Sequence, residues 1–167
     1  MESVKVVNLY KMLTGFGIKI WLDGGWGVDA LLGKQTRKHG DVDIVIQQCD
    51  VEKLREKLYG EGYQEKIQDD TSDWNFVLMD NKGGVVDVHV ITFDSEGNGI
   101  YGPKDKGIMY PAYSFLGKGS IDGLLLDCLS AEFQVLSHTG YEIDDNDRKD
   151  VFALCTQFGV PIPKEYL

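Results

Sequence analysis

The sequence predicts an α/β (α+β) chain, with helices and strands alternating over the first hundred residues and a mostly helical stretch near the end. Two β-branched runs carry most of that reading. One is Asp41 to Ile46; the other is Val85 to Ile91, where Val86, Val88 and Val90 share one face and Asp87 and His89 the other. Around them apolar residues recur at helical spacing, as in Val4, Val7, Leu9, Met12 and Leu13.

Val4 to Gly15 therefore reads as the first helix. Ile18 to Asp23 is a strand that delivers the pair Gly24-Gly25, and Trp26 to Leu32 is a short helix. Asp41 to Ile46 is the second strand, and Val51 to Gly60 a helix that its glycine stops. Tyr63 to Gln68, Trp74 to Met79 and Val85 to Thr92 read as strands. The turn Asp80-Asn81-Lys82-Gly83-Gly84 makes a hairpin of the last two. The glycine-rich stretch Asp94 to Gly107 is a loop with no assigned place. Ser130 suits the N-cap of a helix running to Gly140. Asp147 to Phe158 is a final helix, ended by Gly159 and Pro161, and no repeats or low-complexity segments occur.

Composition narrows the partners. The chain has 167 residues, 43% hydrophobic and 26% charged, which fits a globular unit with a real core rather than a disordered one. Its formal net charge of −10 speaks against nucleic acid, whose phosphates are bound by basic surfaces, and favours cationic ligands. Cys49, Cys128 and Cys155 form no CxxC, so neither a disulfide framework nor a zinc site is indicated. The first residues lack a signal-peptide core and no apolar run reaches membrane length, so no membrane partner and a cytoplasmic location are expected.

The chemistry-bearing residues cluster around two strands. Gly24-Gly25 ends an apolar run, where backbone N–H groups can approach an anion closely, and the helix that follows turns its N-terminus toward phosphates. Asp41 and Asp43 lie two residues apart and project from one strand face. Such a pair holds Mg²⁺ as is usual in phosphate chemistry, a few carboxylates acting together with the substrate's own phosphates. The alternative is a solvated strand edge. Asp87 stands among valines and is costly to bury without a partner. If its strand lies beside that of Asp41 and Asp43, three carboxylates converge on one ion. Otherwise Asp87 and His89 form the wet face of an amphipathic strand.

Trp21-Leu22-Asp23-Gly24-Gly25-Trp26-Gly27-Val28-Asp29, Thr36-Arg37-Lys38-His39 and Asp41-Val42-Asp43-Ile44, followed by the isolated Asp87, resemble the polymerase-β-like nucleotidyltransferase superfamily. More narrowly, the chain is similar to the small antibiotic nucleotidyltransferases, which include the lincosamide nucleotidyltransferases and the aminoglycoside 2″-adenylyltransferases. Val86-Asp87-Val88-His89 and Ser137-His138-Thr139-Gly140-Tyr141 resemble the lincosamide branch. The spacing from Gly25 to Asp41 is longer than in many distant superfamily members and suits this narrower branch. The resemblance implies a nucleotidyltransferase fold, a mixed central sheet flanked by helices with a short C-terminal helical part. Its core would span residues 1–105, with a strand and helical extension over 106–167 packed on it as a single compact unit.

The activity so implied is Mg²⁺-dependent transfer of a nucleoside monophosphate from an NTP, ATP first, to a hydroxyl of a small cationic antibiotic, a lincosamide before an aminoglycoside. By the same resemblance Asp41, Asp43 and Asp87 bind metal, with Asp87 either a ligand or the catalytic base. Gly24, Gly25, Trp26, Arg37 and Lys38 contact the nucleotide, His89 and Tyr141 the acceptor, and a homodimer completes the pocket.

Each of these has a plainer reading. Arg37 and Lys38 form an exposed basic pair unless a triphosphate engages them. His39 orders their loop, Asp29 orients one of the two cations, and Asp23 caps a strand end. Trp21 and Trp26 suit a core before a stacking platform. Ser137-His138 lacks the nucleophile elbow that hydrolysis needs. Tyr141, Asp144, Asp145 and Asp147 form an acidic aromatic patch that receives an amine or a nucleotide, or is simply solvated. Two rival functions are a degenerate nucleotide-sensing module and a protein- or tRNA-modifying transferase. Three retained aspartates in strand phase oppose the first, and the acidic charge opposes tRNA.

Overall fold

The computed structural model describes residues 1–103 and 105–167; Lys104, inside the stretch left unplaced above, lies outside the described residues. The helices are α1 (Ser3–Gly15), α2 (Gly24–Leu32), α3 (Val51–Gly60), α4 (Ala131–Ser137) and α5 (Asp145–Phe158). The strands are β1 (Ile20–Asp23), β2 (Val42–Gln47), β3 (Gln64–Lys66), β4 (Asn75–Met79), β5 (Val85–Phe93), β6 (Gly99–Tyr101), β7 (Ile108–Tyr110), β8 (Gly117–Ile121) and β9 (Leu124–Cys128). They form one mixed sheet in the order β3-β4-β5-β2-β1-β9-β8, with β6 paired to β5 and β7 to β6. Strand β2 runs antiparallel to β1 and parallel to β5, while β9 joins β1 in parallel.

Alternation along the central strands gives the sheet two different faces. Ile20, Leu22, Val42, Ile44, Ile46, Val86, Val88 and Val90 are each at most 2% exposed, and they join Val6, Leu9 and Leu13 of α1 and Leu54 and Leu58 of α3 in the main core. Burying an aliphatic side chain of this size contributes roughly 1.5–3 kcal/mol, so this face secures the register of the strands. The opposite face is divided. Trp21, Val45 and Ile91 join Leu129 and Phe133 in a second, smaller cluster. The positions beside them on the same strands and the same face are Asp23, Asp43, Asp87 and His89.

Helix α2 begins two residues earlier than its apolar pattern predicts, because the Asp23 carboxylate accepts the Gly24 N–H and caps it. It is buried along most of its length and touches β1, β2, β8, α4 and α5. Helix α5 likewise starts early, at Asp145, on a capping box between Asp144 and Asp147. Helix α4 stops at Ser137, short of Gly140, where the His138 ring engages the Gln134 carbonyl.

The hairpin β8–β9 was legible but unassigned. Asp122-Gly123 between two apolar runs is a two-residue turn, and both residues have positive φ, 48° and 78°. That hairpin, drawn from residues beyond 105, completes the sheet beside β1.

Candidate active site

Three neighbouring strands place their carboxylates in one row. Asp23 of β1 is the register partner of Asp43 of β2, and Asp43 is in turn the partner of Asp87 of β5. Adjacent strands lie about 4.8 Å apart, so three acidic groups share a narrow strip of the sheet face. His89, two residues along β5, leans into the row. Its Nδ1 lies 3.6 Å from Asp23 Oδ2 and its Nε2 lies 3.6 Å from Asp87 Oδ1. Asp41 stands just before β2 and is exposed; its charge reaches both Asp43 and Asp87.

The electrostatics of the row are those of charges short of a counter-ion. Burial, then the charge of Asp23, pushes the Asp43 carboxyl up to about 7, with Asp41 and Asp87 adding to the rise. Burial raises Asp87 as well, against the pull of His89. For His89, burial disfavours the cation. The close approach of Asp23 and the charges of Asp87 and Asp43 outweigh it and raise the imidazole to about 9. The ring therefore serves as an internal cation among the aspartates at neutral pH.

The donor set suits a divalent metal. A carboxylate oxygen of Asp43 and one of Asp87 lie within 4.8 Å of each other and of a His89 ring nitrogen, which becomes a ligand only when its proton is lost. Asp87 Oδ1 is buried without a hydrogen-bond partner among the described residues, an acceptor available to a cation. Gly24 has φ +54° and lies against the Asp43 carboxylate, which a Cβ at this position would overlap. The glycine pair thus lets α2 start directly beside the acidic row. First-turn amides have no intrahelical acceptor, so this helix end offers N–H groups next to the carboxylates.

A profile of the family described as aminoglycoside-2″-adenylyltransferase matches residues 5–154. The chain belongs to this family. A lincosamide resistance protein of Staphylococcus haemolyticus is 31% identical over 150 residues, covering 90% of each chain. The crystal structure of the lincosamide antibiotic adenylyltransferase LnuA with lincomycin bound superimposes with a TM-score of 0.80 at 28% identity, over 92% of this chain and 96% of that one. ANT(2″)-Ia in complex with adenylyl-2″-tobramycin shares the fold, with a TM-score of 0.71 at 19% identity over 94% of this chain and 89% of that one. The branch is that of the lincosamide and aminoglycoside adenylyltransferases within the polymerase-β-like superfamily, and the chain is a nucleotidyltransferase.

In this adenylyltransferase-family chain the residues expected at the site fall into two groups. Asp41, Asp43, Asp87, His89, Gly24 and Gly25 gather at the ends of β1, β2 and β5. Arg37 lies beside Gly25, where a Cβ would stand 2.7 Å from its Nη2. Lys38 is exposed and lines a surface recess with Met1, Ser3 and Gln35. Trp26 is only 1% exposed, so it has no open stacking face; its ring tilts on His39 at 4.7 Å. Tyr141 is elsewhere. Its hydroxyl donates to Asp147 at 3.0 Å, among Arg148 and Glu165 of the C-terminal part, and the fold does not bring it to His89.

Two contributors escaped the sequence reading. Asp23 is a full member of the row as well as a cap, which its phase with Trp21 on β1 could have suggested. Tyr101 meets His89 edge-on at 5.7 Å. Burial, then the charge of Asp87, pushes its hydroxyl up to about 12, so it remains a proton donor. It comes from β6, inside the glycine-rich stretch that offered no pattern.

Proposed function

We propose that this nucleotidyltransferase moves a nucleoside monophosphate from an NTP, ATP first, to a hydroxyl of a small antibiotic, a lincosamide before an aminoglycoside. The observation that carries the reading is the register row Asp23–Asp43–Asp87 at the capped start of α2. The lincosamide preference is supported by the breadth of similarity. The lincosamide relative matches over 90% of this chain, whereas a 2″-aminoglycoside nucleotidyltransferase of Escherichia coli matches over 39%.

Asp41 and Asp43 are the residues that would hold Mg²⁺, with Asp87 beside them on β5. When bound, the ion neutralises phosphate charge and polarises the reacting phosphoryl group. The Gly24 and Gly25 region and Arg37 hold the triphosphate. The acceptor hydroxyl oxygen bonds to the α-phosphorus, the bond from that phosphorus to the pyrophosphate oxygen breaks, and the acceptor's proton passes to Asp87. His89 orients the acceptor and shares the charge of Asp87. Because little covalent chemistry falls to the protein, positioning and electrostatics supply most of the rate. An acidic chain attracts an amine-bearing acceptor. We further read the chain as a core over 1–105 with an extension over 106–167, acting as a homodimer in the cytoplasm.

The test is a mass-shift screen with Mg²⁺, each of the four NTPs and a panel of lincosamides and aminoglycosides. A lincosamide heavier by one nucleoside monophosphate is the expected product. If no acceptor in the panel gains that mass with any NTP, the antibiotic reading fails.

A further inference from the structure

Arg37 is held by a buried polar chain to which the reaction as described assigns no role. Asp29 on α2, His39 in the loop before β2 and Asp150 on α5 are 1%, 7% and 3% exposed. Asp29 accepts from the Thr36 backbone N–H at 3.0 Å and from the Thr36 hydroxyl at 2.6 Å, and its second oxygen lies 2.5 Å from His39 Nε2. Arg37 Nη1 lies 2.9 Å from His39 Nδ1. A guanidinium only donates, so Nδ1 accepts, and the ring carries its proton on Nε2, facing Asp29. Arg37 Nη2 then donates to Asp150 Oδ2 at 3.0 Å.

Two helices therefore fix one cation, α5 directly through Asp150 and α2 through Asp29 and His39. The cation they fix is the one beside Gly25, where a Cβ would overlap the His39 ring and crowd the guanidinium. Arg37 Nε is buried with no hydrogen-bond partner among the described residues, an orphan donor on an immobilised charge. Burying such a chain costs desolvation that apolar residues would avoid, so stability alone is a weak reason for it.

We propose that Asp29, His39 and Asp150 are positioning residues that act through Arg37, holding its guanidinium at the start of α2 to bind the β and γ phosphates of the nucleotide. The proposal rests on the nucleotidyltransferase reading above. Its sharpest consequence concerns the histidine tautomer. In Asp29→Asn the side chain keeps its size and one oxygen for Thr36, but presents N–H to His39 Nε2. The ring must then accept there and carry its proton on Nδ1, where it meets the N–H of Arg37.

The experiment measures binding of the α,β-methylene analogue of ATP, and of AMP, to the full chain with Mg²⁺ and no acceptor. The proteins are wild type, Asp29→Asn, Arg37→Ala and the double variant. Asp29→Asn should lose affinity for the triphosphate by about tenfold or more, as expected for a charge-assisted hydrogen bond, with AMP affinity unchanged. The double variant should bind no worse than Arg37→Ala, because Asp29 acts only through Arg37. Nitrogen-15 spectra should show the His39 proton moving from Nε2 to Nδ1. Additive losses, equal losses for ATP analogue and AMP, or full affinity with the tautomer moved would each overturn the proposal. Should Asp29→Asn fail to fold, Asp150→Asn removes the other anchor and must show the same triphosphate-selective loss. A wild type that bound no nucleotide would overturn both readings. One that showed this binding pattern yet transferred to no acceptor would leave the positioning standing and sink the transfer.

Discussion

Asp43 and Asp87 are direct register partners on the parallel strands β2 and β5. Like charges side by side across a sheet repel, and burial adds to the cost of ionising either one. The main core on the other face secures this pairing. Val42, Ile44 and Ile46 on β2 sit against Val86, Val88 and Val90 on β5. The proposed site is thus built on a rung that folding alone would avoid, and His89 is the built-in charge that makes it tolerable without metal.

Removing one carboxylate should stabilise the metal-free protein. Asp43→Asn relieves a group whose ionisation is opposed by burial and by three neighbouring aspartates. We expect a gain of about 1 kcal/mol or more at pH 7, or ~2–4 °C in melting temperature for a chain of this size, together with loss of transfer. Thermal melts in EDTA beside an activity assay decide it. A melting point well below wild type would mean that Asp43 supports the fold.

Metal-free stability should fall as pH rises. The folded Asp43 carboxyl is raised from its ordinary 3.8 to about 7, so its contribution is full below 3.8 and is lost as pH climbs through about 7. His89 is raised from 6.5 to about 9, so its contribution is full below 6.5 and is lost through about 9. Both act in the same direction. The contribution of these two groups to the melting temperature in EDTA should therefore decline from about pH 4 to about pH 9. Mg²⁺ competes with protons for the carboxylates, so the rise it produces should be larger at pH 8 than at pH 5. A magnesium effect independent of pH would contradict the assignment of these carboxylates.

Asp87 and Asp43 should separate in nucleotide binding. If Asp87 takes the acceptor's proton, Asp87→Asn binds Mg²⁺–NTP with near-normal affinity and still loses transfer, whereas Asp43→Asn loses both. Calorimetric titration reads this directly. Equal loss of nucleotide binding in the two variants would make Asp87 a metal ligand and leave the base unassigned.

Two glycines with similar backbone angles should behave differently. Gly24 (φ +54°) and Gly33 (φ +69°) bracket α2, and either alanine substitution costs roughly 1–2 kcal/mol in backbone strain. Only at Gly24 does the new Cβ overlap the Asp43 carboxylate; at Gly33 its nearest neighbour is Ser120 Oγ at 3.6 Å. Gly24→Ala should abolish transfer, while Gly33→Ala should lose stability and keep its kcat. Comparable activity in the two would remove Gly24 from the site.

Salt should discriminate between acceptors. Attraction between an acidic surface and a cationic antibiotic is screened over about 8 Å at physiological ionic strength. A lincosamide carries one amine and an aminoglycoside several, so KM for the acceptor should rise only shallowly with salt for the proposed substrate. A steep rise would favour the aminoglycoside.

Local periodicity by itself determined much of this protein. The alternation of Val86, Val88 and Val90 with Asp87 and His89 is readable because side chains switch faces at every residue, whatever lies next to the strand. The glycine pair and the following apolar helix were legible for the same reason, and so was the family resemblance carried by Trp21 to Ile46. Distance along the chain hid the rest. Whether Asp23, Asp43 and Asp87 meet depends on which strands are neighbours and in what register, and that is set by hydrogen bonds and core packing between segments far apart in sequence. The partnership of Arg37 with Asp150 spans most of the chain and no local pattern announces it. Tyr141 shares a motif with the lincosamide branch, and no local pattern announced that its hydroxyl donates to Asp147. Side-chain phase is a property of single segments; convergence of charges is a property of their packing, and only the tertiary structure decided it.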